Sequence, residues 1–194
     1  MKSSYEIKNI RTLNEKQLNE AVNVFIESFQ HLFSFTKKQE DLVILFKDAF
    51  VKEMIYVYIE DHEVLGFLGI GTNKRRALLF SLDVCKQLFG NVKGGIVYKQ
   101  LNAVCTKPAV TNDDELYIDF LATAKKARGK GIGTLMLNYA FAMPNYATCY
   151  LEVLSKNKDA KRLYESLGFK VYKKQFSLLI LQGVGIPLKM KKKL

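Results

Sequence analysis

Three glycines separated by single residues, Gly129, Gly131 and Gly133, stand between an apolar run and an amphipathic stretch, and this constrains the fold more than any other feature of the chain. Leu116 to Thr123 reads as a strand. Ile132, Leu135, Met136, Tyr139, Ala140 and Met143 fall on one face of a helix that Pro144 stops. Thr148 to Leu154 reads as the next strand, so the order is strand, loop, helix, strand. Glycines in such a loop let backbone N–H groups approach an anion, and the helix N-terminus adds about half a positive charge. A phosphate or pyrophosphate suits it. Two familiar phosphate loops do not fit: Lys130 is followed by Gly131 rather than Ser or Thr, and Thr134 stands where a dinucleotide fingerprint needs its third glycine. A glycine-rich turn into a helix also occurs with no ligand, and the loop alone leaves that open.

The remaining periodicities predict an α/β chain. Asn14 and Gln17 form a capping-box pattern ahead of a helix whose buried face is Leu18, Ala21, Val22, Phe25 and Phe29. A second helix is expected over 34–51, with Leu42, Leu45, Phe46 and Ala49 on one stripe. Met54 to Glu60 and Val64 to Ile70, joined by Asp61 and His62, predict a hairpin. In residues 73–113, Leu78, Leu82, Cys85 and Phe89 suggest one helix ending near Gly90 or the Gly94-Gly95 pair, followed by a loop. Asn157 starts a helix striped by Ala160, Leu163, Tyr164 and Leu167 and ended by Gly168, and Phe169 to Lys174 and Phe176 to Gln182 read as final strands. At 194 residues, 48% hydrophobic and 25% charged, the chain is expected to form a single domain spanning 1–194 without extensive disorder.

Charge is distributed unevenly. The net charge is +11, yet residues 1–120 hold 15 basic against 16 acidic residues, while residues 121–194 hold 15 against 3. Any anion is therefore sought in the C-terminal part, although the terminal KMKKKL run reads as a solvated lysine tail. Three widely spaced cysteines, Cys85, Cys105 and Cys149, argue against a disulfide framework or a cysteine-rich zinc site, and the first residues lack an apolar signal core, so a cytoplasmic location with reduced thiols is expected. The uncharged run Gly131 to Leu151 contains Asn138, Pro144 and Asn145 and is not read as a membrane helix.

Arg128-x-x-Gly131-x-Gly133 after a strand ending Leu121-Ala122-Thr123, and then Leu151-Glu152-Val153 followed by Asn157-x-x-Ala160-x-x-Leu163-Tyr164-x-x-x-Gly168-Phe169, resembles the GNAT superfamily of acyl-CoA-dependent N-acyltransferases. The resemblance is specific over about 116–172 and implies a mixed, mostly antiparallel, splayed sheet flanked by helices, with the acyl-CoA-binding half at about 115–175. It implies that Arg128, Gly129, Lys130, Gly131, Ile132, Gly133 and Thr134 cradle the pyrophosphate of acetyl-CoA. Leu121 and Thr123 would pair with the pantetheine arm, and the Leu121 N–H would serve as oxyanion donor. Asn157 would bond the arm, with Lys125, Lys126, Lys158 or Lys161 meeting the 3′-phosphate. Tyr164 would protonate the leaving thiolate; without the motif it reads as core. Where the family uses a short turn, about forty residues, 73–113, intervene here, and they are expected to form a partly helical cover on the acceptor side.

For the general base, Asp119 lies two residues before Leu121 and so is expected on the same strand face, with a water chain as the alternative. His31 and His62 read as ordinary histidines, and Cys149 as a buried thiol rather than an acyl carrier. The expected activity is acetyl transfer from acetyl-CoA to a primary amine by direct attack in a ternary complex, without a metal or a membrane, and with a homodimer left open. The alternatives are an RNA- or ribosome-associated basic protein, which lacks nucleic-acid motifs, and a degenerate acyl-CoA-binding sensor.

Overall fold

The computed structural model describes residues 4–175 and 185–194. Seven strands form one open sheet: β1 (Tyr5–Asn9), β2 (Ile55–Glu60), β3 (Glu63–Gly71), β4 (Glu115–Thr123), β5 (Thr148–Leu154), β6 (Lys170–Lys174) and β7 (Pro187–Lys193). Their spatial order is β1-β2-β3-β4-β5-β7-β6, with β4 and β5 parallel and every other neighbouring pair antiparallel. Six helices flank it: α1 (Glu15–Phe29), α2 (Gln39–Ala49), α3 (Leu82–Phe89), α4 (Asn91–Cys105), α5 (Ile132–Phe141) and α6 (Lys158–Ser166). This is the mixed, splayed α/β architecture that the sequence implies.

Local chemistry explains most boundaries. Asn14 accepts from the Gln17 N–H, and Gln17 Oε1 accepts from the Asn14 N–H, closing the capping box of α1. Asp61 and His62 both take positive φ, as a two-residue hairpin turn requires. The second helix is shorter than its periodicity suggests. Its start moves to Gln39 because Thr36 Oγ1 accepts from the Lys38 N–H and donates to Asp41, holding the preceding chain out of the helix. Phe33, in extended backbone, and Phe35 pack against the core ahead of the helix.

Residues 73–113 form two helices where the sequence suggests one. Gly90 ends α3 with positive φ, and α4 follows immediately, running through Gly94 and Gly95. A Cβ on Gly94 would lie 2.4 Å from the Cys85 carbonyl oxygen and 2.6 Å from Lys86 Cα, so this glycine permits the two helices to cross at backbone contact. Leu78 lies outside both and pairs as an isolated bridge with Phe50.

The lysine tail is the larger correction. Pro187 to Lys193 is strand β7, inserted between β5 and β6, and it buries Leu188 and Met190. Lys192 turns inward, where its Nζ donates to the Leu167 carbonyl at 2.8 Å and lies 5.1 Å from the Phe141 ring centroid. A cation at the last carbonyls of α6 is favourable for that helix. The expected strand Phe176 to Gln182 lies outside the described residues.

Packing on the two sheet faces is asymmetric. On one face Phe25 of α1 meets the rings of Phe29, Phe33, Phe46, Phe50, Phe67 and Phe120 at centroid distances of 4.8 to 6.4 Å. On the other, α5 approaches so closely that a Cβ on Gly66 would lie 2.6 Å from Met136 Sδ. Because Phe25 joins α1, α2, β3 and β4, Phe25→Ala should cost about 3–5 kcal/mol, read as a lower denaturation midpoint. A loss below about 1 kcal/mol would show that the cluster does not organise this face.

Candidate active site

The site begins with a register. β4 and β5 pair from Glu115 opposite Thr148 to Ile118 opposite Leu151, and there the pairing stops. Asp119–Thr123 and Glu152–Leu154 run on unpaired with each other, leaving a wedge between two parallel strands. Strand edges in such a wedge can pair with an extended ligand arm.

A bulge in β4 lies at the apex of this wedge. Gly69 of β3 stands opposite Phe120 and Ile70 opposite Ile118, so Asp119 is the extra residue. The alternation that would place Asp119 and Leu121 on one face is broken. Phe120 packs on Phe25 and Phe29 of α1. Leu121 Cδ2 lies on the opposite face, 3.7 Å from where a Gly133 Cβ would sit. Asp119 lies with Phe120 on the α1 face, contrary to the period-two expectation, because an inserted residue reverses side-chain parity.

There Asp119 is fully engaged. Its side chain is 1% exposed, Oδ1 accepts from Arg76 Nε at 2.6 Å and Nη2 at 2.5 Å, and Oδ2 accepts from the Ala77 N–H at 2.8 Å. Burial pushes the carboxyl up against the downward pull of Arg76 and the Ala77 N–H. Arg76 also donates to the Lys107 carbonyl at 2.6 Å and lies 5.1 Å from the Tyr117 ring centroid. Both ends of the helical insertion are thereby tied to the bulge.

The glycine loop sits at the C-terminal end of β4. Gly129 and Gly131 have φ of 79°, which glycine adopts without strain, and a Cβ on either would meet nothing within 4 Å. Space over the loop is open. Gly131 caps α5 without any side-chain hydrogen bond, so the first N–H groups of that helix keep their donor capacity. Arg128 Nε donates to the Thr123 carbonyl at 3.4 Å, folding the loop back on β4. A Cβ on Gly133 would lie 3.2 Å from Leu163 Cδ2, so β4, α5 and α6 converge at this glycine.

The predicted cations divide into two groups. Lys125 pairs with Glu27 at 3.9 Å, Lys126 with Glu63 at 2.5 Å, and Lys161 with Glu165. Arg128, Lys130 and Lys158 have no carboxylate partner among the described residues. Nearby, a shallow recess of about 260 Å³ is lined by Glu20, Glu27, Glu63 and Lys126, and its three carboxylates make it unsuited to an anion.

On α6, Asn157 Oδ1 accepts from the Ala160 N–H at 3.2 Å, a helix cap that leaves its amide donors free. Tyr164 is 8% exposed, and its ring meets Phe169 edge-on at 5.8 Å. Burial, with a smaller contribution from Cys149, pushes its hydroxyl up to about 12. That group stays protonated through neutral pH and can donate a hydrogen bond. It has no hydrogen-bond partner among the described residues. Cys149 is itself buried, its thiol raised to about 12 chiefly by burial, which suits a packing role.

One residue escaped the sequence reading. Glu152 is the first β5 residue beyond the paired region, on the face opposite Tyr164, exposed, and without a hydrogen bond or ion pair among the described residues. Its place inside the Leu-Glu-Val strand motif and its even spacing from Tyr150 were the available signals, but the sequence does not mark where β4 and β5 separate. His31 and His62 are exposed, His31 in a short turn after α1 and His62 in the β2–β3 turn.

Arg76→Met should destabilise the fold by about 3–5 kcal/mol, because it strands a buried carboxylate. Arg76→Met with Asp119→Leu should recover most of that loss in chemical denaturation. A double variant no more stable than the single one would show that the pair is not the joint between insertion and sheet.

The profile of the acetyltransferase (GNAT) family matches residues 18–169 of the chain. No curated protein matches it by sequence. Among solved structures it is similar to an N-acetyltransferase from Staphylococcus aureus Mu50, with a TM-score of 0.64 at 15% identity over 96% of this chain and all of that one. A protein of Pyrococcus horikoshii OT3 superposes with a TM-score of 0.59 at 23% identity over 98% and 99% of the two chains. The ribosomal-protein-S18-alanine N-acetyltransferase of Escherichia coli gives 0.55 at 14% identity over 98% and 94%.

Proposed function

The chain belongs to the acetyltransferase (GNAT) family, and we propose that it transfers an acetyl group from acetyl-CoA to a primary amine by direct attack in a ternary complex. The observation that carries this reading is the wedge beyond Ile118 and Leu151, with a glycine-lined helix N-terminus free of side-chain caps near one end and Glu152 as the first unpaired β5 residue. Acetyl-CoA, when bound, supplies an activated acyl group. The backbone N–H groups of Gly129–Thr134, aided by Arg128 and Lys130, hold the pyrophosphate. The edges of Leu121 and Thr123 pair with the pantetheine arm, and the Leu121 N–H faces the acyl oxygen, where a preorganised donor contributes about 3 kcal/mol to the barrier reduction. Asn157 offers its free amide to the arm. Lys158 and Lys161 stand on the first turns of α6 for the 3′-phosphate, although Lys161 must first release Glu165.

Proton handling is divided between the faces. Tyr164 keeps its proton at neutral pH and donates it toward the departing sulfur. Glu152 accepts the amine proton, directly or through water, since its carboxylate is uncommitted. Asp119 acts as a positioning residue, because both its oxygens are already bonded to Arg76 and Ala77. In this reading, Tyr164→Phe lowers kcat by about 10²-fold or more while the melting temperature changes little, since the hydroxyl has no described partner to lose. Glu152→Gln should lower kcat on the same scale with acetyl-CoA binding retained. Acetyl-CoA at about a hundred times its Kd should stabilise the fold by about 2.7 kcal/mol, and Gly131→Val should abolish the resulting rise in Tm. A protein that acetyl-CoA does not stabilise would overturn the assignment.

A further inference from the structure

The face of the sheet that carries Glu152 continues outward as a ladder of lysines. β7 alternates, so Leu188 and Met190 are buried on the α5–α6 side while Lys189, Lys191 and Lys193 stand on the other. Across β5 these three lie opposite Glu152, Tyr150 and Thr148. Across β6, Lys170 lies opposite Lys191 and Lys173 opposite Lys189. Like charges directly opposite on neighbouring strands repel each other. None of these five lysines has a carboxylate partner among the described residues. Glu152, at the inner end, is the carboxylate nearest in register.

Such a face is suited to an anion that lies along it. The three β7 lysines repeat every second residue, about 7 Å apart, and span about 14 Å from the wedge outward, more than a small amine would occupy. Alternate side chains of an extended polypeptide have the same repeat. Nucleobases find a poorer surface here: the exposed Tyr172 ring is met edge-on by Tyr150 at 5.9 Å and has Lys191 Nζ at 5.4 Å from its centroid, which leaves no free stacking platform.

We propose that the acyl acceptor is an acidic polypeptide segment, laid extended over the β5–β7–β6 face with its amine directed to Glu152 at the wedge. The proposal rests on the acyltransferase reading, and it names the class of acceptor. Lys189, Lys191 and Lys193 meet alternate carboxylates, with Lys170 and Lys173 flanking them. The cross-strand repulsion is relieved when the acceptor binds. Selectivity thus comes from charge spacing along the strand rather than from an enclosed pocket.

The test uses two fluorescent peptides, identical except that alternate positions carry Asp and Glu in one and Asn and Gln in the other. Fluorescence anisotropy at low salt should show the acidic peptide bound about tenfold tighter, as several exposed ion pairs together supply, and the preference should shrink as salt rises. It should disappear in the triple variant Lys189→Glu, Lys191→Glu, Lys193→Glu. A triple Lys→Gln variant repeats the measurement without charge reversal, and retention of the acetyl-CoA-induced rise in Tm confirms that each variant is folded. Equal binding of both peptides, or a preference surviving in both variants, overturns the proposal while leaving acetyl-CoA binding intact. Tighter binding of an oligothymidylate than of the acidic peptide overturns it in favour of a nucleic-acid face. If acetyl-CoA fails to raise the Tm of the unaltered protein, the acyltransferase reading falls, and the acceptor role with it.

Discussion

One inserted residue in β4 organises this molecule. By displacing the register against β3, Asp119 lets Phe120 enter the aromatic cluster around Phe25 while Leu121 faces Gly133 and Leu163. A regular strand would send Asp119 and Phe120 to opposite faces, whereas the bulge holds both on the α1 side. The same bulge marks where β4 parts from β5, so the core and the wedge share a structural origin. Arg76 fixes it. The buried pair satisfies Asp119 and holds the helical insertion through the Lys107 carbonyl, so loss of either partner would reach core, wedge and insertion together.

The sheet also separates two chemical environments. On the α5–α6 side, burial keeps the Tyr164 hydroxyl and the Cys149 thiol protonated. On the other side, Glu152 stands in solvent beside a ladder of lysines. An acyl group held in the wedge would be reached by an acid from one face and by an amine from the other. In the proposed direct attack, donor and acceptor of protons would then not compete for the same space.

The excess positive charge of the C-terminal part serves distinct places. Arg128 and Lys130 lie at the glycine loop with no described carboxylate, Lys192 caps α6, and the lysines of β6 and β7 line an open sheet face. A net charge alone would have suggested a diffuse surface. The strand register sorts it into a cluster at the glycine loop, a helix cap and a linear ladder.

Much of this was legible in the sequence because it depends on local chemistry. The capping box at Asn14 and Gln17, the turn at Asp61 and His62, the glycine loop and the α5 and α6 stripes each follow from neighbouring residues satisfying backbone groups or a helical period. The family motifs likewise lie within short segments, so they located the loop, Asn157 and Tyr164 without a structure. Pairing between distant segments was beyond that reach. Whether Asp119 shares a face with Leu121 depends on a bulge against β3, which the sequence of β4 does not announce. Whether KMKKKL is a tail or a strand depends on the gap between β5 and β6, and the alternating apolar pair Leu188 and Met190 was the local signal of a buried strand face. The commitment of Asp119 to Arg76, forty-three residues away, and the freedom of Glu152 at the wedge follow from tertiary contact alone. A carboxylate's role is set by which cations and N–H groups the fold brings within hydrogen-bond reach, and sequence spacing does not encode that distance.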